Sequence, residues 1–379
     1  MSYVIAKKAL ISQATYAKKL RPLLPPEAFE PDPGKLLVLA VNALILLLGW
    51  AIAKRLNLHS VGQLGLYLPL VLVMANSVTA LTFGSHELLH GSIIRRPRLA
   101  HLFSLLGFTP GWMPPTLWQI VHNRIHHNNT NTAADPDRNY LFDQPNTWCK
   151  RVQNFAVLSS EITPLGLIFG LLMSWGFYTF RNLTSVLLFN SPEVKYVPAA
   201  FAVKPKERRK IAAEFLVILL IHLGIISYLE FDVTKLIWAY FLPVGLGYAG
   251  LISYIGTNHL ASPMTAVNDP LLNSLSVQVP KIFDVLHLNF SYHAEHHIFP
   301  GLNSEYYPRV RELLQRHYPE RMDYVTPIQQ AWHLMRSTPR LYRDETTFTD
   351  WSGTESVPCP LNLPVESSSE LYSPVATNL

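Results

Sequence analysis

The run Ser291-Tyr292-His293-Ala294-Glu295-His296-His297-Ile298-Phe299-Pro300-Gly301 carries three histidines within five residues. On a helix, His293, His296 and His297 stand at i, i+3 and i+4, so their imidazoles project from roughly one face and can converge on a cation. Two further sets lie upstream, His86-Glu87-Leu88-Leu89-His90 and His122-Asn123-Arg124-Ile125-His126-His127. With His259, nine of the chain's 15 histidines sit in clusters or at the ends of apolar segments. A catalytic zinc takes about three protein ligands and a structural zinc about four. The eight histidines of the three sets therefore imply two metal ions, with His259 a candidate ninth ligand. Imidazole binds zinc, copper, nickel and iron alike, so residue type alone does not name the metal.

Working outward from these sets, the chain alternates between apolar segments and polar ones. Residues 36–53 and 64–83 are almost wholly apolar, as are 211–229 and 236–255, and each approaches the roughly 20 residues needed to cross a bilayer. Residues 156–180 are apolar too, but Glu161 and Pro164 interrupt them. If the histidine sets form one cluster, an even number of crossings must separate His127 from His293. The last two apolar segments supply two, so 156–180 is read as interfacial. A third crossing there would also place the basic run Lys204, Lys206, Arg208, Arg209 and Lys210 outside, against the positive-inside tendency. The expected fold is an all-α integral membrane protein of two transmembrane hairpins. A cytoplasmic helical cap, residues 84–210 and 256–343, holds the metal site.

At the ends, residues 1–34 read as an arm followed by a proline-rich linker. Its first twenty residues can form an amphipathic helix with Val4, Ile5, Leu10 and Ile11 on one side. No cleavable signal peptide is expected there. The membrane domain then runs over 35–343, and 344–379 is expected to be disordered. Both termini are expected in the cytoplasm.

Composition narrows the chemistry. A mean hydropathy of +0.15 fits apolar spans attached to a polar body. The net charge of +5 fits anionic headgroups or an acidic protein partner; a nucleic-acid partner is not expected. Cys149 and Cys359 are too few for a thiolate-held iron–sulfur cluster, so any electrons must come from outside the chain. Glu87, Glu295, Asp135 and Asp137 stand beside the histidines and are candidates to hold the far ring nitrogens of ligands, which orients them. His222, within a span, reads as an interhelical hydrogen-bond donor. His59, His101, His287, His317 and His333 read as surface or supporting groups.

The order H-x-x-x-H, H-x-x-x-H-H, H-x-x-H-H, with Phe299-Pro300 after the last set, resembles the membrane fatty acid desaturase and hydroxylase superfamily across roughly Phe83 to Pro319. That resemblance implies a non-haem di-iron centre on the cytoplasmic face of a four-span bundle, O2 as co-substrate, and oxidation of an unactivated C–H bond. Electrons would come from ferredoxin or cytochrome b5, and no fused cytochrome b5 motif is present. Family members place an extra histidine after the last span, often near an asparagine. Here Asn258 is adjacent to His259 instead of a turn earlier, so the resemblance carries no ligand role to His259, which stands as a candidate on its position alone. Trp112, Trp118 and Tyr292 are candidates to line an acyl tunnel. The first-choice substrate is a fatty acyl chain as a lipid, CoA or carrier-protein ester. The runner-up is a carotenoid, since His293-Ala-Glu-His-His297 also resembles carotenoid ketolases and hydroxylases.

Rival classes fare worse. His86-Glu87-Leu88-Leu89-His90 satisfies the zinc-protease pattern H-E-x-x-H, but the Asp-Gly pair that commonly supplies a third ligand is missing and six other clustered histidines would be idle. A metal transporter would want more ionisable groups within the spans than His222.

Overall fold

The computed structural model describes residues 9–360, and they are mostly helical. Four helices are long and apolar enough to cross a membrane: Pro33–Arg55, Val61–His90, Pro205–Tyr228 and Val233–His259. Between 22% and 50% of each is buried. The remainder presents Leu37, Leu47, Leu66, Leu72, Leu216 and Leu220 outward, as expected of helices apolar all round that face lipid. The helix at Pro164–Thr184 packs along the fourth span without qualifying as a fifth. Its Gly170 lies so close to the preceding helix that an added Cβ would stand 1.8 Å from the Ala156 carbonyl oxygen, so only glycine permits this crossing.

The spans are longer than the apolar runs suggested, and that positions the site. The second continues through His90, where Gly91, in the left-handed region at φ 80°, ends it. The fourth continues to His259. The first histidine set and His259 therefore ride on the ends of rigid spans instead of following them in loops. Glu207, at the start of the third span, pairs with Arg124 of the second set at 2.8 Å. Glu214, about two turns further along, accepts from both the backbone N–H and the hydroxyl of Thr116 and pairs with His101 at 2.7 Å. His222 bonds the carbonyl of Thr109 at 2.9 Å and the hydroxyl of Tyr240 at 2.7 Å, the interhelical role expected of it.

Two expectations at the chain ends need correcting. Val4 and Ile5 lie outside the described residues, but the described part of the arm, Gln13–Leu20, is no membrane-surface helix. Its Tyr16 and Leu20 are fully buried against Ile298, Phe299 and Val310, and Asp269 ties Tyr16, the Ile11 backbone and Arg321 together. The stretch from Thr346, expected to be disordered, instead contributes strands Thr347–Thr349 and Ser356–Pro358 to a three-stranded antiparallel sheet with Leu341–Asp344. Residues 361–379 of the expected tail lie outside the described residues. A two-stranded parallel pairing of Ser276–Gln278 with Val325–Pro327 completes the strands, and it flanks the last histidine set.

Candidate metal centre

The three histidine sets and His259 meet at one place. Five imidazoles, His86, His90, His122, His127 and His296, present ring nitrogens all within 4.8 Å of one another, and His126, His259 and His297 form a second such group. His293 joins the second, its Nε2 2.7 Å from that of His259 and 3.1 Å from that of His297. The division differs from the expectation of single faces. Residues Gln119–His126 form a π-helix, whose i→i+5 hydrogen bonds widen the turn. Residues five apart then share a face, so His122 and His127 go to the first group while His126 goes to the second.

Spacing fits a metal in the first group, and hydrogen bonding points to one in the second. Nitrogens held about 2.1 Å from one ion stand roughly 3.0 to 3.4 Å apart. The Nε2 atoms of His86 and His122, and of His122 and His127, are 3.1 Å apart, and those of His127 and His296 are 3.2 Å apart. The far nitrogens say which atom carries the proton. His259 Nδ1 faces the Asn273 carbonyl at 3.0 Å, which can only accept. With the Asn258 amide turned so that its nitrogen donates to the carbonyls of Tyr254 and Leu275, the orientation that satisfies its neighbours, its oxygen accepts from His293 Nδ1 at 3.1 Å. Both Nε2 atoms are therefore bare lone pairs, and two lone pairs 2.7 Å apart repel unless a cation lies between them.

Four more far nitrogens are held similarly, whereas His127 Nδ1 has no hydrogen-bond partner among the described residues. Glu87 stands against His86 Nδ1 at 3.1 Å, while its other oxygen accepts from Ser92 at 2.8 Å. Asp135 accepts from His126 Nδ1 at 3.0 Å. The hydroxyls of Tyr307 and Thr130 meet Nδ1 of His296 and His297 at 2.9 and 3.2 Å. Burial, followed by repulsion among neighbouring imidazoles, holds His122, His127, His293, His296 and His297 well below the ordinary histidine value. They are neutral near pH 7, the form that binds metals. Burial disfavours charge on His126 and Asp135 as well, but their mutual attraction outweighs it, raising the first and lowering the second. Asp135→Asn is expected to weaken metal binding about 10- to 100-fold, read by titrating metal into chelated protein; unchanged affinity would show that the carboxylate does not steady His126.

Two of the four acidic candidates do not reach a ring. Glu295 is fully buried, yet it points away from the metal groups and accepts from Arg311 at 2.6 Å, Ser276 at 2.6 Å and Tyr324 at 3.0 Å. Asp137 meets Tyr178 and Arg181. His287 is held by Tyr254 and Asn76, outside both groups. Sequence reading missed Thr130, Asn273 and Tyr307, which lack a local pattern; Asn258 was in view only as the neighbour of His259.

A largely apolar pocket opens beside both groups, lined by His86 and His122 of the first, by His126, His259 and His293 of the second, and by the Pro164–Thr184 helix. Trp118 lines it. Trp112 instead stacks on His222 at 3.8 Å, and Tyr292 lies under the Arg311 guanidinium at 3.9 Å.

A chain of four apolar helices with histidines from three sequence sets gathered at their ends is a membrane oxidoreductase architecture, and the family model described as fatty acid desaturase matches residues 63–328. The chain belongs to the fatty acid desaturase family. A search of curated proteins finds no match.

Proposed function

We propose that the two histidine groups hold two iron ions and that the protein uses O2 to desaturate a fatty acyl chain. His86, His90, His122, His127 and His296 are assigned to one iron, and His126, His259, His293 and His297 to the other. Bound there, the irons supply the activation of O2 needed to attack an unactivated C–H bond. The balance is two hydrogens lost from adjacent carbons, two electrons from an external ferredoxin or cytochrome b5, two protons from water, and two waters formed. The observation that carries this reading is the bare-nitrogen pair His259 and His293 on the wall of an apolar pocket. A hydrocarbon would lie there beside metal ligands, with water excluded.

Pre-oriented imidazoles are what the chain contributes. Glu87, Asp135, Asn258, Asn273, Thr130 and Tyr307 orient six of the nine rings, which lessens the reorganisation needed on metal binding. Glu87 lies on His86 and Ser92, an arrangement that leaves it no free oxygen to activate water as a zinc protease would require. The Arg124–Glu207 pair supports a cytoplasmic site, since it sets the Lys204–Lys210 run beside the second histidine set.

The test is the lipid and pigment profile of a host expressing the protein, grown with and without oxygen. Oxygen-dependent new double bonds are expected. Oxygenated carotenoids would transfer the reading to ketolation or hydroxylation, and no oxygen-dependent product would overturn both.

A further inference from the structure

The pocket beside the two groups is not apolar throughout. Asp137, Tyr178 and Arg181 share its wall with His126, and a carboxylate oxygen of Asp137, one of Asp135 and a ring nitrogen of His126 lie within 4.8 Å of one another. A charged pair so placed costs free energy in a channel for plain hydrocarbon, which offers it nothing in return.

The pair is also incompletely matched. Asp137 Oδ1 and Arg181 Nη2 stand 3.9 Å apart, beyond hydrogen-bonding reach. Asp137 Oδ2 accepts from the Tyr178 hydroxyl at 3.2 Å, and Arg181 Nη2 donates to the Pro136 carbonyl at 3.1 Å. Among the described residues, Asp137 Oδ1 and Arg181 Nε have no hydrogen-bond partner. Buried polar atoms left so are uncommon and costly. A single oxygen lying off the line between Asp137 Oδ1 and Arg181 Nη2 would sit about 2.8 Å from each.

What belongs there must donate to a carboxylate and accept from a guanidinium. A hydroxyl does both. A carbonyl or ether oxygen only accepts, a substrate carboxylate would be repelled by Asp137, and an ammonium would be repelled by Arg181. We propose that Asp137 and Arg181 bind a hydroxyl on the substrate, so that the lipid oxidised here carries a hydroxyl within a few carbons of the C–H bond attacked. Tyr178 is a positioning residue that fixes the Asp137 carboxylate. This deepens the oxygenase reading above and rests on it. Specificity follows from the same groups: a site built around a substrate hydroxyl discriminates strongly against the analogue lacking it, because its own polar atoms are then left unpaired.

The experiment uses the full-length protein, iron-loaded, in a host supplied with octadecanoic acid or with hydroxyoctadecanoic acids whose hydroxyl is moved stepwise along the chain. One positional isomer is expected to be converted at least about tenfold better than octadecanoic acid, with neighbouring isomers falling away on both sides. Asp137→Asn and Arg181→Gln are expected to collapse that ratio toward one while iron content stays at the parent level. Tyr178→Phe is expected to lower the ratio in part, and it keeps the proposal open to test if either charged variant fails to accumulate. Equal conversion of plain and hydroxylated chains by the parent would mean that the gap takes only water, and would overturn this proposal alone. Loss of iron together with a parallel fall for every substrate would make the pair a brace for the loop carrying Asp135, and would likewise overturn it. Absence of product from every lipid in iron-loaded protein would instead remove the oxygenase reading and this proposal with it.

Discussion

His297→Ala is expected to lower turnover at least about a hundredfold and to take one of the two metals with it, while the protein remains in the membrane. His297 is fully buried, its Nε2 3.1 Å from that of His293 and its Nδ1 fixed by Thr130. Removing it leaves His126, His259 and His293 around a hole too polar and too small to refill with side chains. None of the four spans depends on it, so insertion should be unaffected. His287 supplies the control, being comparably buried in the same part of the chain but bonded to Tyr254 and Asn76. His287→Ala should destabilise modestly and leave the metal content as it was. Equal metal loss from both variants would mean that His297 acts through packing and not as a ligand.

The second large effect is expected at Glu295, and it is one of stability. Its carboxylate is wholly buried and holds Arg311, Tyr324 and Ser276, while the Ser276 hydroxyl in turn accepts from the Ala294 backbone. Removing one partner of a buried, hydrogen-bonded ion pair strands the other, at a cost of roughly 3–5 kcal/mol. Glu295→Ala should therefore lower the unfolding midpoint of metal-free protein sharply. A variant as stable as the parent but poor in metal would return Glu295 to the role of orienting a ligand.

Much of this was legible in the amino-acid sequence because it follows from period and composition. Spans without a polar face had to be lipid-facing, and their limits failed most where polar His86 to His90, Pro205 to Lys210 and Thr257 to His259 continued a helix that hydropathy could not follow. The requirement that all three sets meet kept residues 156–180 out of the membrane count, and the helix there is not among the four that qualify. What sequence could not give was the partition of the histidines between the two groups. Counting by 3.6 residues pairs His122 with His126, whereas the π-helix pairs His122 with His127, and nothing in Gln119–His126 announces the wider turn. Tyr307 and Asn273 reach the site through tertiary packing alone, and Glu295, adjacent to a ligand in sequence, is turned from it by Arg311.

Metal analysis of detergent-purified protein, with the same measurement on His297→Ala, bears most directly on the central claim of two histidine-held metals. About two irons per chain are expected in the parent and about one in the variant, from two groups each large enough to hold an ion. A single zinc in the parent, or an iron content that His297→Ala leaves unchanged, would contradict it.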